Sequence, residues 1–354
     1  MILLRTVRTV SQSNRRPFLN PIGEPSLKSR KSYYRFSEYL KERFGCRVYK
    51  VSIDAGFSCP NRDGTKSKEG CIYCDNRGFS FNTRLPGHML GGQGRIAPRP
   101  IEAQVKEGID FGRDRLKAEK FIVYFQAYTN TYAPVKVLRE KYEIVKKFKD
   151  VAGISIGTRP DCVNEEILDL IASYAKGYEV WLEYGLQSIH KKSLEFINRG
   201  HTYEDFLQAV KLTRKRKKLK ICAHTIVGLP GETREDILET AKELGRLKLD
   251  GVKIHPLHII KGTKLEQLFE KGLYRPLDLE EYISLVTEFL EHLWPRTVIQ
   301  RLSADCPRRF LVEPLWILQK NKVLNGIEEA LLRKGSFQGK LYGKRGLAPF
   351  LEKG

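Results

Sequence analysis

Three cysteines stand in a run of 16 residues, Cys59, Cys71 and Cys74, spaced C-x11-C-x2-C. Two thiolates two residues apart can face one soft metal centre, and the earlier one reaches it from the other arm of a loop. Pro60, Asn61, Asp63, Gly64 and Gly70 fill the gap. Turn formers at that density fold the segment back on itself. The count of three is informative. A structural zinc site takes four protein ligands, and so as a rule does an electron-transfer iron–sulfur cluster. A cluster held by three cysteines keeps one iron open to a reactant. Tyr73, just before the last cysteine, is a catalytic candidate, because its ring would wall that open position. The other reading is a zinc knuckle completed by a distant ligand such as Cys46 or His88.

The elements that must position these residues show as a strand-then-helix rhythm. Short, continuous, apolar runs at about 47–54, 121–129, 151–158, 179–186, 221–228 and 251–258 read as strands. Helical patterns separate them: 101 to about 117, a run with Leu138, Tyr142, Val145 and Phe148 on one face, and helices capped by Asn164 and Thr233. A further helix is expected over 33–44, ended by Gly45. This alternation calls for an α/β fold with a parallel sheet covered by helices. Periodicity alone does not choose between an open doubly wound sheet and a partial barrel. Beyond Ile260 the rhythm breaks into helices (265–269, 279–293) and a strand at 298–302, read as a C-terminal α+β extension over 261–354. Residues 1–32 carry seven Arg or Lys and one acid, Glu24, and read as a basic mobile tail or a transit peptide. The Gly- and Pro-rich stretch from Asp75 to Pro100 reads as a lid.

Unusual residues fall at the C-terminal ends of the strands, the face that carries chemistry in barrels. They are Thr158-Arg159-Pro160-Asp161, Gly185-Leu186-Gln187-Ser188, Gly228-Leu229-Pro230-Gly231 and His255-Pro256-Leu257-His258. The Gly228 turn permits close backbone approach beside a helix N-terminus, or is simply a tight strand-to-helix turn. Glu183 sits in an otherwise apolar strand. An unpaired buried charge is costly, so it is either a catalytic carboxylate facing the lumen or half of an ion pair with Arg159. Asp54 is a site residue or a loop cap. His255, His258 and Lys261 reach substrate or are packed by hydrogen bonds. Cys162 is an alternative site thiol, whereas Cys46, Cys222 and Cys306 read as buried small hydrophobes.

The cysteine loop and these motifs together resemble the radical S-adenosylmethionine (SAM) superfamily, in its elongator-like branch and most closely the YhcC-like proteins. The resemblance runs from about Tyr34 to Gly339. It implies an open (β/α)6 partial TIM barrel, with the core at 33–260 and the cluster loop at 55–80. It implies a [4Fe–4S] cluster on Cys59, Cys71 and Cys74, SAM as cofactor, an external electron donor, and a 5′-deoxyadenosyl radical as the reactive species. By motif it places Gln187 and Arg199 against SAM, with Gln126 and Thr129 where the family's glycine-rich ammonium motif is missing. Thr158, Arg159, His224 and Gly228 complete the expected cofactor contacts. Two positions depart from the pattern: His224 stands where an Asp is usual, and Gly157 where a Glu is usual.

Lys and Arg number 63 against 42 Asp and Glu, a formal charge of +21. So large an excess favours a polyanionic partner, RNA before membrane. The run Lys211–Lys220 holds seven basic residues in ten, either a phosphate-contacting patch or a solvated helix end. The function expected is radical modification of RNA. The alternatives are modification of a protein or small molecule, or a non-catalytic metal-containing nucleic-acid-binding protein. Seven cysteines, odd in number and partly clustered, fit a reducing, cytoplasmic compartment. No apolar run approaches the ~18 residues of a membrane span.

Overall fold

The computed structural model describes residues 32–79 and 99–343. His88, most of the lid stretch, and all of the basic tail except its last residue lie outside the described residues. In chain order the elements are α1 (Phe36–Phe44), β1 (Val48–Ile53), one turn of helix α2 (Asn76–Phe79), α3 (Ile101–Leu116), β2 (Lys120–Phe125), α4 (Val135–Glu143), β3 (Val151–Thr158), α5 (Glu165–Tyr174), β4 (Glu179–Gln187), α6 (Lys191–Phe196), α7 (Tyr203–Arg214), β5 (Leu219–Val227), α8 (Arg234–Leu247), β6 (Gly251–Pro256), β7 (Ile259–Ile260), α9 (Lys264–Glu270), α10 (Leu279–His292), β8 (Val298–Arg301), β9 (Leu311–Glu313) and α11 (Lys320–Arg333). Gly45 ends α1 in the left-handed region, as its sequence position requires. Thr233 caps α8 through a reciprocal bond with Asp236. Among the described residues no helix is long and apolar enough to cross a membrane.

Seven strands form one parallel sheet in the order β1-β2-β3-β4-β5-β6-β8. That order decides the architecture. A doubly wound sheet reverses its strand order at a switch point, and this one never does. Right-handed crossovers therefore leave the helices on one face, and the twisted sheet curls its other face around a lumen. The outer face meets the helices through the main core, which includes Ile53, Phe125, Ile156, Leu182 and Leu244. The fold is the expected partial barrel, with one addition. The strand assigned to the C-terminal extension pairs with β6 and extends the core sheet by a seventh strand. β2 is also shorter than expected, because the chain leaves the sheet at Gln126 and turns towards the lumen mouth.

The N-terminal end of the lumen is plugged. Trp181 is fully buried and takes edge-on contacts from Phe36 at 5.8 Å and Tyr39 at 5.6 Å. Ile122, Cys222 and Val298 close the plug from three other strands. The phenol of Tyr39 donates to Glu179 and Arg43 reaches the same carboxylate at 3.2 Å, so α1 is both packed and tethered. Trp181→Ala should remove the centre of this plug and cost about 3–5 kcal/mol. Denaturant unfolding checks it. Unchanged stability would mean that α1 does not depend on the lumen for its seat.

Candidate active site

The lumen opens at the C-terminal ends of the strands into a cavity of about 220 Å³. Cys59, Cys71, Cys74 and Tyr73 line it. So do Gln126, Thr129, Thr158, Arg159, Glu183, Gln187, Arg199 and His224, together with His255 and His258. Of the expected site residues, Lys261 does not line it, and neither does Gly228. It makes the left-handed turn its glycine permits (φ 92°), but packs against Leu277 and accepts a hydrogen bond from Tyr274 on its carbonyl. Asp54 takes the loop-capping role, its carboxylate accepting from the Gly56 amide at 2.8 Å. Cys162 sits against Asp161, not in the cavity lining. Cys222 and Cys306 are buried as expected, but Cys46 is partly exposed.

The cysteine loop is fastened to the segment between α6 and α7. Asn61 donates to the Asn198 carbonyl at 2.5 Å, Asn198 donates back to the Gly70 carbonyl at 2.7 Å, and the Ile72 amide bonds the Ile197 carbonyl at 3.1 Å. Arg199 then bridges loop and barrel. One end of its guanidinium lies 3.5 Å from Cys71 Sγ, and the other donates to the Gly185 carbonyl at 3.0 Å. A Cβ at Gly185 would stand 2.5 Å from Arg199 Nη2 and 2.8 Å from Gln187 Nε2, so a larger residue there would displace the ends of both side chains. Arg159 pairs with Asp161 at 2.9 Å and donates to the Arg199 and Gly200 carbonyls at 2.8 and 2.9 Å. Gln187, Asn198 and Tyr128 hold left-handed backbone without being glycine, which is the sort of strain that gathers at sites.

The three thiols suit a cluster by the chemistry of the donor set. Burial pushes the Cys74 thiol up to about 12, with Cys71 and Cys59 near enough to add to the effect. Such thiols ionise when a metal centre supplies the positive charge. Among the described residues no three or more His, Cys, Asp or Glu side chains converge as ligands of a single ion. Of the two fourth ligands offered for the knuckle alternative, Cys46 does not line the cavity and His88 lies outside the described residues.

Below the thiols lies a layer of buried charge. Glu183 does not pair with Arg159, contrary to the ion-pair alternative. Its carboxylate accepts from Lys50, Ser155 and Lys253, and from His224 at 2.8 Å. Both ammonium groups also sit over the Tyr124 ring, at 4.2 and 4.3 Å from its centre. Burial alone would raise the Glu183 carboxyl, but Lys253 and Lys50 hold it well below the usual range. One carboxylate shared by two lysines satisfies neither fully. Burial therefore brings Lys253 from 10.5 down to about 7, aided by Lys50 and Arg301. Burial and Lys253 likewise bring His224 to about 4, so its imidazole is neutral. Sequence reasoning singles out Glu183 but misses Lys50, Lys253 and Arg301. The same signal is present for them, since each is a charge within an apolar strand, at 50, 253 and 301.

The sign of the pH effect follows. Between pH 7 and 10.5 the unfolded chain holds the Lys253 proton and the folded chain does not. Lys253 therefore makes stability rise with pH across that window, by up to about 1.4 kcal/mol per unit. Below pH 7 both states are protonated and its burial cost is complete. Denaturation at pH 6.5 and 9 should show this rise in the wild type, and Lys253→Met should flatten it. The same slope in both proteins would contradict the assignment.

Family models match the two parts of the chain. The radical SAM superfamily model covers residues 62–244, and the Radical_SAM C-terminal domain model covers 249–333. The chain is 37% identical to YtqA of Bacillus subtilis, over 90% of this chain and 95% of that protein. It is equally 37% identical to YhcC of Escherichia coli, over 89% and 96%. A tRNA uridine(34) acetyltransferase of Methanocaldococcus jannaschii is 34% identical over 45% of this chain and 29% of its own length. With its fold, its cysteine spacing and these matches, the chain belongs to the radical SAM superfamily, among the YhcC-like proteins.

Proposed function

We propose that the protein is a radical SAM enzyme whose Cys59, Cys71 and Cys74 hold a [4Fe–4S] cluster at the lumen mouth and whose barrel holds SAM beside it. The observation that carries this reading is the gathering of the three thiols, Gln187 and Arg199 around one cavity. When bound and reduced by an external donor, the cluster supplies one-electron cleavage of SAM to methionine and a 5′-deoxyadenosyl radical that takes hydrogen from substrate. The chain contributes binding, orientation and exclusion of water. Asn61 and Arg199 fix the Cys71 sulfur with donors at 3.6 and 3.5 Å. Gln126, Thr129 and Gln187 offer uncharged polar groups at strand ends, suited to the amino acid and ribose parts of SAM. His224, neutral and turned to Glu183, leaves the carboxylate of this region on β4 instead of β5.

Anaerobic reconstitution tests the reading. The wild type should bind four irons and release 5′-deoxyadenosine on reduction with SAM. Cys59→Ala, Cys71→Ala and Cys74→Ala should lose the iron, and Cys306→Ala should keep it. Gln187→Ala should weaken SAM binding about tenfold with iron retained. Arg199→Ala should lower both, because its guanidinium rests on the Cys71 sulfur. Stoichiometric zinc without iron would overturn the assignment.

RNA is the substrate class favoured by the +21 charge and by likeness to the tRNA uridine(34) acetyltransferase. The Lys211–Lys220 run contributes less than its composition suggests. Lys215 and Arg216 are tied to Glu165 and Asp169, and Lys220 to Asp250. Its exposed members Lys217 and Lys218 lie just before β5, at the end of the barrel away from the cavity mouth. If they touch phosphates, Lys217→Ser with Lys218→Ser should flatten the log–log salt dependence of RNA binding by about 0.7–0.9 for each phosphate no longer neutralised. An unchanged slope would assign RNA binding to other surfaces.

A further inference from the structure

The lumen floor carries more positive charge than its acids neutralise. Lys50 and Lys253 share Glu183. Arg301 and Lys320 share Asp305, at 3.6 and 3.9 Å. Lys320 is half exposed and does not line the cavity, so within the lumen two carboxylates serve the three cations Lys50, Lys253 and Arg301. The hydrogen-bonding capacity is equally unspent. Lys253 has three N–H bonds. Glu183 takes one, and the face of Tyr124 lies 4.3 Å from the same nitrogen. Among the described residues no other acceptor meets it. The Arg301 fork makes no hydrogen bond to the described residues beyond its loose approach to Asp305. The His255 ring makes none to them either; it lies 5.6 Å from that of His224. Lys253, Arg301 and His255 all line the cavity that also holds the three cysteines. They come from two strands, β6 and β8, that are hydrogen-bonded neighbours, with Lys253 in register with Arg301.

We propose that the floor of the lumen is an oxyanion subsite, in which Lys253, Arg301 and His255 receive a carboxylate or phosphate group of the substrate. The assignment rests on reading the cavity as the chamber for SAM and substrate. Charge supports it directly. Burial and then Arg301, with His224 and Lys253, hold His255 well below its ordinary value. The protonated forms of Lys253 and His255 are thus both disfavoured by burial and by the cations around them, and an anion placed among them relieves both. Arg301 offers a planar fork that matches either oxyanion, and Lys253 a point charge. Glu183 acts as a positioning residue that fixes the Lys253 nitrogen.

The test uses the full chain, reconstituted and holding SAM, at ionic strength kept constant with potassium chloride. Inorganic phosphate and succinate are titrated separately while the Tm is followed. At least one anion should raise the Tm saturably over chloride, and which one does so separates a phosphate from a carboxylate substrate. Lys253→Met and Arg301→Gln should each raise the half-saturating concentration about tenfold or more. Lys176→Ser, on the outer surface, should leave it unchanged. Arg301 is partly exposed, so Arg301→Gln carries the test alone if Lys253→Met does not fold. No saturable shift with either anion, or equal shifts in wild type and Arg301→Gln, overturns the subsite. Iron content on the same samples reports the cofactor separately, so absence of anion binding with iron retained overturns the subsite alone.

Discussion

The Glu183 carboxylate is held by donors from four other strands: Lys50 on β1, Ser155 on β3, His224 on β5 and Lys253 on β6. Buried ions of this kind are rarely a net gain in stability, because desolvation offsets the attraction. Their effect is to fix geometry. A curled parallel sheet needs its lumen filled, and a purely apolar filling would leave no floor for a polar reaction chamber. Here the filling changes with depth. Trp181 and α1 seal the bottom, Glu183 and its lysines form a charged middle layer, and the cavity lies above them. Remove the carboxylate and the buried Lys253 and half-buried Lys50 lose their shared counter-charge, at a cost of about 3–5 kcal/mol for a broken buried pair.

The top of the lumen is organised by a different device. The cysteine loop leaves β1 and contains little regular structure, so its shape must be imposed from outside. The 197–200 segment imposes it through Asn61, Asn198 and the Ile72 amide. Arg159 in turn anchors that segment by holding two of its carbonyls. Arg199 connects this loop clamp to the Gly185 carbonyl at the end of β4. Loop, strand end and clamp therefore form one unit, and the position of Cys71 depends on residues more than a hundred positions away in sequence.

Much of this architecture is legible in the sequence. Six of the seven sheet strands show as short apolar runs, and the strand-end motifs fall on the cavity side because strand and helix alternate so regularly. The seventh strand is only four residues long and follows two helices, so local pattern ties it to the extension; its pairing with β6 is a long-range event. Glu183 is visible as a charge in an apolar strand. Its partners are not, because local sequence offers Arg159 from the neighbouring strand end. Lumen-facing register instead brings Lys50, 133 residues away in sequence, and Lys253, 70 away, to the same point. The Gly228 turn type permits close approach to a cofactor. The turn forms, but its outer side packs on Leu277.

The central claim is a cluster with one iron left open by a three-cysteine site. Electron paramagnetic resonance of the reduced, reconstituted protein tests it most directly. The spectrum should show a reduced [4Fe–4S] signal, and adding SAM should change it, because in a cluster held by Cys59, Cys71 and Cys74 one iron would be left for SAM to bind. A cluster signal that SAM leaves unaltered, or reduced protein with no cluster signal at all, would contradict the account.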